Sequence, residues 1–309
     1  MSSTLVAAAP FREAFRQKDF VVTAEVGPPK GTDVAELVEH IDLLKDKVDG
    51  LNVTDNQSAV MRMGSLVVSG EIVRHGGDPI FQTTCRDRNR LGLQSDLLSA
   101  AFLGITNVLC LTGDHPVVGD HKQAKGVFDF DSIHLIQCCH KMNAGTDWEG
   151  NELDGKTDFF VGAVVTPESD PLEPQLYKFA RKVEAGTDFF QTQAVYDMDN
   201  FQRFMEKARA ITAGTKAKIM AGLVVLTGVG MAKYMNRSVP GIFVPDTLIE
   251  ELAAVPKEEA LRKGIEIAAR HIRFIRDNKL ADGVHIMAIG KEEIVPEILE
   301  LAGLTEGRA

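Results

Sequence analysis

The 309-residue sequence holds only four cysteines, and none of them stand in a CxxC spacing. Cys85 and Cys110 are isolated, while Cys138 and Cys139 are neighbours on a helical pattern, a poor geometry for a disulfide or a shared metal. A disulfide scaffold and an iron–sulfur centre are therefore not expected, and a reducing, cytoplasmic setting fits best. The histidines at 115 and 121, or 134 and 140, share no short motif typical of zinc, so no metal is assigned. There is no nucleophile elbow and no clear Ser/His/Asp order. Basic residues are outnumbered, 34 Lys and Arg against 44 Asp and Glu, for a formal charge of −10. That disfavours a nucleic-acid binder, which clusters cations against phosphate. No window reaches the roughly 18 consecutive apolar residues of a membrane span. The opening MSSTLVAAAPFREAF lacks a basic stretch ahead of its short apolar run, so neither a secretory signal nor an anchor is expected.

What is present is an ordinary globular composition, 44% hydrophobic and 25% charged, carrying a regular alternation. Eight short runs rich in β-branched and apolar residues end in Gly, Asp, Thr or Pro, as buried parallel strands leading into loops do. They begin at Asp19, Val48, Pro79, Asn107, Phe159, Phe189, Lys218 and Asp282. Helical periodicity fills the intervals, over 34–48, 58–76, 95–105, 131–142, 173–186, 200–211 and 257–279. Eight consecutive βα units predict an α/β fold, a single (β/α)₈ TIM barrel spanning 1–309. Its expected departures are an N-terminal extension over 1–18, a polar insert over 143–158 and extra helices over 237–281 before strand eight. Trp148 in the insert is expected in a solvated loop, with anchoring of a partner as the alternative.

In such barrels side chains at the carboxyl ends of strands reach the top cavity. Strand one ends in Glu25, strand two in Thr54 and Asp55, strand three in Gln82 and Thr84, strand four in Gly113 and Asp114, and strand six in Gln193. Each has a structural alternative: Glu25 in a salt bridge, Asp114 capping a turn, Thr54, Gln82 and Thr84 as hydrogen-bonded packing. Cys85 is read as packing. Glycines 228 and 230 after strand seven fit either a phosphate contact or a tight turn into a helix.

The strings AEVGPPKG at 24–31, LNVTDNQ at 51–57, FQTTCRDRN at 81–89, LTGDHP at 111–116 and RKVEAGTDFFQTQAVYD at 181–197, in that order at successive strand ends, resemble the methylenetetrahydrofolate reductase family over nearly the whole barrel. The resemblance implies a flavin, FAD or FMN, and reduction of 5,10-methylenetetrahydrofolate to 5-methyltetrahydrofolate. Glu25 then matches the acid that protonates the folate nitrogen released as the five-membered ring opens, and its surroundings are expected to be apolar. Asp114 matches the Asp near flavin and pterin, and Gln193 the Gln that binds folate. Thr54, Gln82, Thr112, Gly113, Arg181 and Lys182 fall at flavin contacts, with Gln82 where the family often has His and Thr112 where it often has Arg. Lys291 is placed to meet the substrate's carboxylate tail or, equally, to stand exposed at a helix start.

One departure bears on the electron donor. Members that oxidise a reduced nicotinamide carry an aromatic and a Gln on the helix after strand seven; here Met231 and Met235 stand there, beside Tyr234. Methionine lacks a flat ring for stacking. Direct NADH use is therefore not expected, and a partner protein or low-potential carrier is, with a homo-oligomer as the other assembly. The competing class is a non-redox pterin-binding barrel that presents a one-carbon unit to a methyl-transfer partner, for which a strand-end acid has no use.

Overall fold

The computed structural model describes residues 10–305. Eight strands, β1 (Val21–Val26), β2 (Gly50–Val53), β3 (Pro79–Thr84), β4 (Asn107–Leu111), β5 (Phe160–Val165), β6 (Phe189–Ala194), β7 (Lys218–Val224) and β8 (Gly283–Met287), close in chain order. Every pairing is parallel, β8 with β1 included, so the sheet has no edge. The helices are α1 (Pro10–Gln17), α2 (Ala35–Leu44), α3 (Ser65–Arg74), α4 (Arg90–Phe102), α5 (Ser132–Ala144), α6 (Glu173–Glu184), α7 (Met198–Thr212), α8 (Val229–Ser238), α9 (Asp246–Ala253), α10 (Ala260–Asp277) and α11 (Val295–Ala302). Among the described residues no helix is long and apolar enough to cross a membrane.

Strand alternation divides the interior in two. On β1, Val22, Ala24 and Val26 face outward into the main core with Leu37, Ile41 and Leu44 of α2, while Val21 lies in a separate cluster inside the barrel with Ile80, Leu109, Phe189 and Met220. That inner floor is sealed from below by α1. Phe11 is fully buried and meets Phe189 and Phe160 edge-on, with ring centroids 5.0 and 5.9 Å away. Its backbone N–H donates to Asp78 Oδ2 at 2.9 Å, and Asn107 Nδ2 donates to the other oxygen at 2.9 Å. Gly162 makes room for the floor, since a Cβ there would lie 2.2 Å from the Phe189 ring. Half of the expected 1–18 extension is thus a stopper; residues 1–9 lie outside the described residues.

Four other expectations need adjusting. The helix expected from residue 95 begins at Arg90, because Asn89 caps it by accepting from Leu91 N and Gly92 N; the cap outweighs Gly92, which had broken the apolar pattern. The helix expected from residue 58 begins at Ser65, since Asn56, Ser58 and Ala59 adopt positive φ of 47°, 55° and 57°. Within 237–281, α10 is the barrel's own helix against β7 and α11, and the true additions are α8 and α9. They share a second core with Tyr196, Val224 and Leu226. Trp148 is no free loop residue: its ring packs 4.7 Å from that of Phe130, and Lys141 Nζ lies 4.9 Å from its centroid.

Replacing Phe11 by Ala should remove about 3–5 kcal/mol of stability through the cavity it opens, read as a lower urea midpoint with an unchanged slope. A loss under about 1 kcal/mol would mean that α1 does not seal the barrel.

Candidate functional site

Above the floor the barrel interior turns polar. Thr23 of β1, Asn52 of β2, Gln191 of β6 and His285 of β8 are all buried. Asn52 Nδ2 donates to Gln191 Oε1 at 2.7 Å, and Gln191 Nε2 returns a bond to Asn52 Oδ1 at 3.0 Å. Gln191 Nε2 also reaches Thr23 Oγ1 at 3.4 Å, and that hydroxyl lies 3.0 Å from His285 Nδ1. Two residues beyond Thr23 on the same strand face, Glu25 stands directly above this layer. Its carboxylate is 7% exposed, accepting from Gln57 Nε2 at 3.4 Å and lying 3.8 Å from His285 Nε2. The site is buried but not apolar, contrary to expectation, because β8 brings an imidazole to it.

Glu25 lines a cavity of about 310 Å³ with Thr54, Gln57, Arg62, His40 and Glu292. A second cavity of about 290 Å³ adjoins it, lined by Gln82, Thr112, Gly113, Asp114, Lys178 and Lys182 among others. Gln57 belongs to both walls. Gly113, at φ +88°, allows the second cavity its depth: a Cβ would come within 3.0 Å of Arg86 Cβ and 3.1 Å of Thr84 Cβ. Thr112 accepts from Ser132 N at 3.2 Å, tying the end of β4 to the start of α5. Asp114 is exposed on the rim.

Lys182 is 7% exposed and donates to the Val164 carbonyl at 2.7 Å. Burial, with Lys178 nearby, pulls its ammonium down from 10.5 to about 8. Gln175 and Lys178 line the same cleft; residues 175, 178 and 182 are three and four apart on α6, which is one helix face. That spacing was available in the sequence and was not used. Arg181 points off that face, about half exposed and paired with Glu184 at 2.8 Å, so it lines neither cavity.

The other expected residues are placed as follows. Thr54 lines the Glu25 cavity instead of the cleft, and its buried hydroxyl has no hydrogen-bond partner among the described residues. Gln193 lines neither cavity: the strand is irregular between Gln191 and Ala194, and its Oε1 turns back to accept from Ala194 N at 3.0 Å. Lys291 is absent from the walls although Gly290 and Glu292 line the Glu25 cavity. Asp55 is consumed structurally, accepting from Thr84 N at 2.8 Å and Arg88 Nη1 at 2.7 Å. Cys85 is fully buried in the main core, its thiol pushed up to about 12 chiefly by burial. Gly228 caps the start of α8.

Sequence reading missed His285, Gln57 as a dividing wall, and the group of His40, Glu292 and Glu293, whose potential ligand atoms lie within 4.8 Å of one another. All join residues far apart in the chain. A larger cavity, about 810 Å³, lies at the opposite end of the barrel beside α1. Two of its arginines are already matched, Arg12 to Asp158 and Arg209 to Asp282 at 2.9 and 2.8 Å, and strand amino ends are the stability face.

A parallel eight-stranded barrel with an acid and a lysine-lined cleft at its carboxyl face defines the class. The model of the methylenetetrahydrofolate reductase family matches residues 10–303, and the chain belongs to that family. Among curated relatives, methylenetetrahydrofolate reductase 2 of Schizosaccharomyces pombe is 29% identical over 73% of this chain and 36% of its own length. The 5,10-methylenetetrahydrofolate reductase of Salmonella typhimurium is 22% identical over 93% of this chain and 92% of its own. The chain thus spans about a third of the fungal protein and nearly all of the bacterial one. Among solved structures, an uncharacterized Clostridium thermocellum protein that binds two copies of 5-methyl-5,6,7,8-tetrahydrofolic acid superposes with a TM-score of 0.61. It is 16% identical, over 94% of this chain and 96% of that one, a likeness of fold alone.

The folded value of Lys182 lies below its unfolded one, so the folded state disfavours its charge. The unfolded chain binds more protons between about 8 and 10.5, so this group adds stability as pH rises through that window. A phosphate-bearing ligand held by the ammonium should bind more weakly as pH rises through about 8. Fluorescence titration with flavin mononucleotide should show this loss, and Lys182→Met should bind more weakly near neutrality with a flatter profile. An identical profile in the variant would remove Lys182 from the contact.

Proposed function

We propose that this chain reduces 5,10-methylenetetrahydrofolate to 5-methyltetrahydrofolate with a bound flavin, Glu25 serving as the general acid. The observation that carries the reading is Gln57, which walls both the Glu25 cavity and the lysine-lined cleft while donating to Glu25. The proton source and the cleft therefore meet edge to edge.

The cleft has features that fit a flavin. Its volume is near the lower end of the roughly 300–1,000 Å³ range of ligand pockets, sufficient for a ring system with the remainder of the molecule along the open rim. Gly113 lets a flat group approach the backbone, Gln82 and Thr112 offer hydrogen bonds, and Lys178 and Lys182 offer cations for phosphate. When bound, the flavin would supply the hydride to the one-carbon unit. Glu25 gives its proton to the folate nitrogen as the carbon–nitrogen bond of the five-membered ring breaks, so the leaving nitrogen departs neutral. Gln57 and His285 hold the carboxyl from two sides, and burial limits competing water. Asp114 on the rim is placed to meet the pterin. Thr54 lines the same cavity as Glu25. Gln193 and Lys291 would need to turn toward the substrate to reach it.

Electrons come, in this reading, from a protein partner or low-potential carrier. Met235 is buried, its sulfur 3.5 Å from the Tyr196 hydroxyl, and Met231 accepts from the Thr227 hydroxyl at 3.2 Å. Neither offers a stacking surface, and Tyr234 points outward, 54% exposed.

The purified protein should be yellow. Glu25→Gln should keep its flavin and lose ~10²- to 10⁴-fold in the rate at which reduced enzyme is reoxidised by methylenetetrahydrofolate; full activity in that variant would dismiss the acid. Excess NADH in a stopped-flow instrument should bleach the flavin slowly, and rapid bleaching would remove the need for a partner. A colourless protein that still binds folate would instead identify a non-redox folate module.

A further inference from the structure

We propose that His285 is the positioning residue of the acid, presenting a protonated Nε2 to the Glu25 carboxyl from inside the barrel. The inference rests on the proposed role of Glu25 and adds to it a residue that no strand-end pattern marks.

The geometry is a directed chain. The Asn52 and Gln191 amides exchange two hydrogen bonds at 2.7 and 3.0 Å. In that reciprocal pair the second N–H of Gln191 points to Thr23 Oγ1, 3.4 Å away. With one lone pair engaged, the Thr23 hydroxyl still has its proton to give, and in this proposal it donates to His285 Nδ1, 3.0 Å away. A neutral imidazole accepting at Nδ1 carries its proton on Nε2, and Nε2 is the atom 3.8 Å from Glu25 Oε2. Residues of four strands thus support this orientation of the imidazole.

The position of His285 follows from the barrel. It lies opposite Thr23 in the β1–β8 register, so its side chain shares the inner face one layer below Glu25, 3% exposed. The two contacts to the carboxyl, 3.4 Å from Gln57 and 3.8 Å from His285, are long. They leave the acid able to lean into its cavity and return to a defined resting place, as catalytic groups commonly do before substrate tightens them.

The experiment uses the flavin-loaded protein with His285→Phe and His285→Gln. His285→Phe keeps the volume and loses the donor; it should lower kcat for methylenetetrahydrofolate reduction by ~10- to 100-fold, the scale of a misplaced catalytic group, with folate KM, flavin occupancy and thermal midpoint unchanged. His285→Gln, which returns an N–H to the same place, should recover most of the loss. Turnover of His285→Phe equal to wild type overturns the proposal. So does loss of flavin or of folding in both variants, which would make the residue structural. A readout that needs no turnover accompanies these: ¹⁵N spectra should show His285 as the Nε2–H tautomer, its Nε2 resonance shifting in Glu25→Gln. An Nδ1–H tautomer, or no response to that change, overturns the proposal even if the protein reduces no folate. Absence of turnover in the wild type would instead count against the function proposed for Glu25.

Discussion

The hydrogen-bonded layer across the middle of the barrel, Thr23, Asn52, Gln191 and His285, is the constraint on which the upper half depends. Buried polar groups without partners cost more than a hydrogen bond returns, so such a layer persists only if its members satisfy one another. Here the amide pair does so reciprocally and hands its remaining donor to Thr23. Below lies the apolar floor of Phe189, Met220, Leu109 and Ile80, sealed by Phe11. Above stands Glu25. The change from apolar to polar takes place within one strand, from Val21 through Thr23 to Glu25, at alternate residues on a single face.

A second device holds the loops that roof the site. Arg86, 2% exposed, donates two hydrogen bonds to the Asp87 carboxylate and also donates to the carbonyls of Asn56 and Asp114. One side chain thereby joins the loops after β2, β3 and β4. Arg88 closes on Asp55, while Lys30 pairs with Asp120 across the loops after β1 and β4. These clamps surround the left-handed residues Asn56, Ser58 and Ala59. Non-glycine residues in that region cost free energy and persist where their surroundings over-determine them. The turn contains Gln57, whose side chain stands between the two cavities.

The eight strands were legible because each is a short apolar run closed by a turn residue, and closure in chain order followed from their number. Glu25, Gln82, Gly113 and Asp114 were legible as positions because strand ends converge on the mouth, whereas Lys182 came from the family resemblance alone. His285 was hidden because an inward residue in mid-strand looks like any other core position until the register places it beside Thr23. Arg181 and Gln193 stand off both cavities for local reasons: a residue adjacent to Lys182 on a helix is turned about 100° away, and an irregular strand does not keep its alternation. Trp148 was misjudged because a polar insert gives no sign that it folds back along α5.

The molecule keeps its acid and its two methionine departures from the family pattern, Met231 and Met235, in different cores. Glu25, Gln57 and His285 are held by the barrel wall and the interior layer. Met231 and Met235 belong to the cluster formed by α8, α9 and the tops of β6 and β7, where a change of side chain is absorbed by neighbours such as Tyr196, Val239 and Ile242. Substitutions far apart with no shared partners act independently. The α8 face can therefore be rebuilt while Glu25 and its supports remain untouched. In the proposed reaction, a change of electron source needs no change in the chemistry performed on folate.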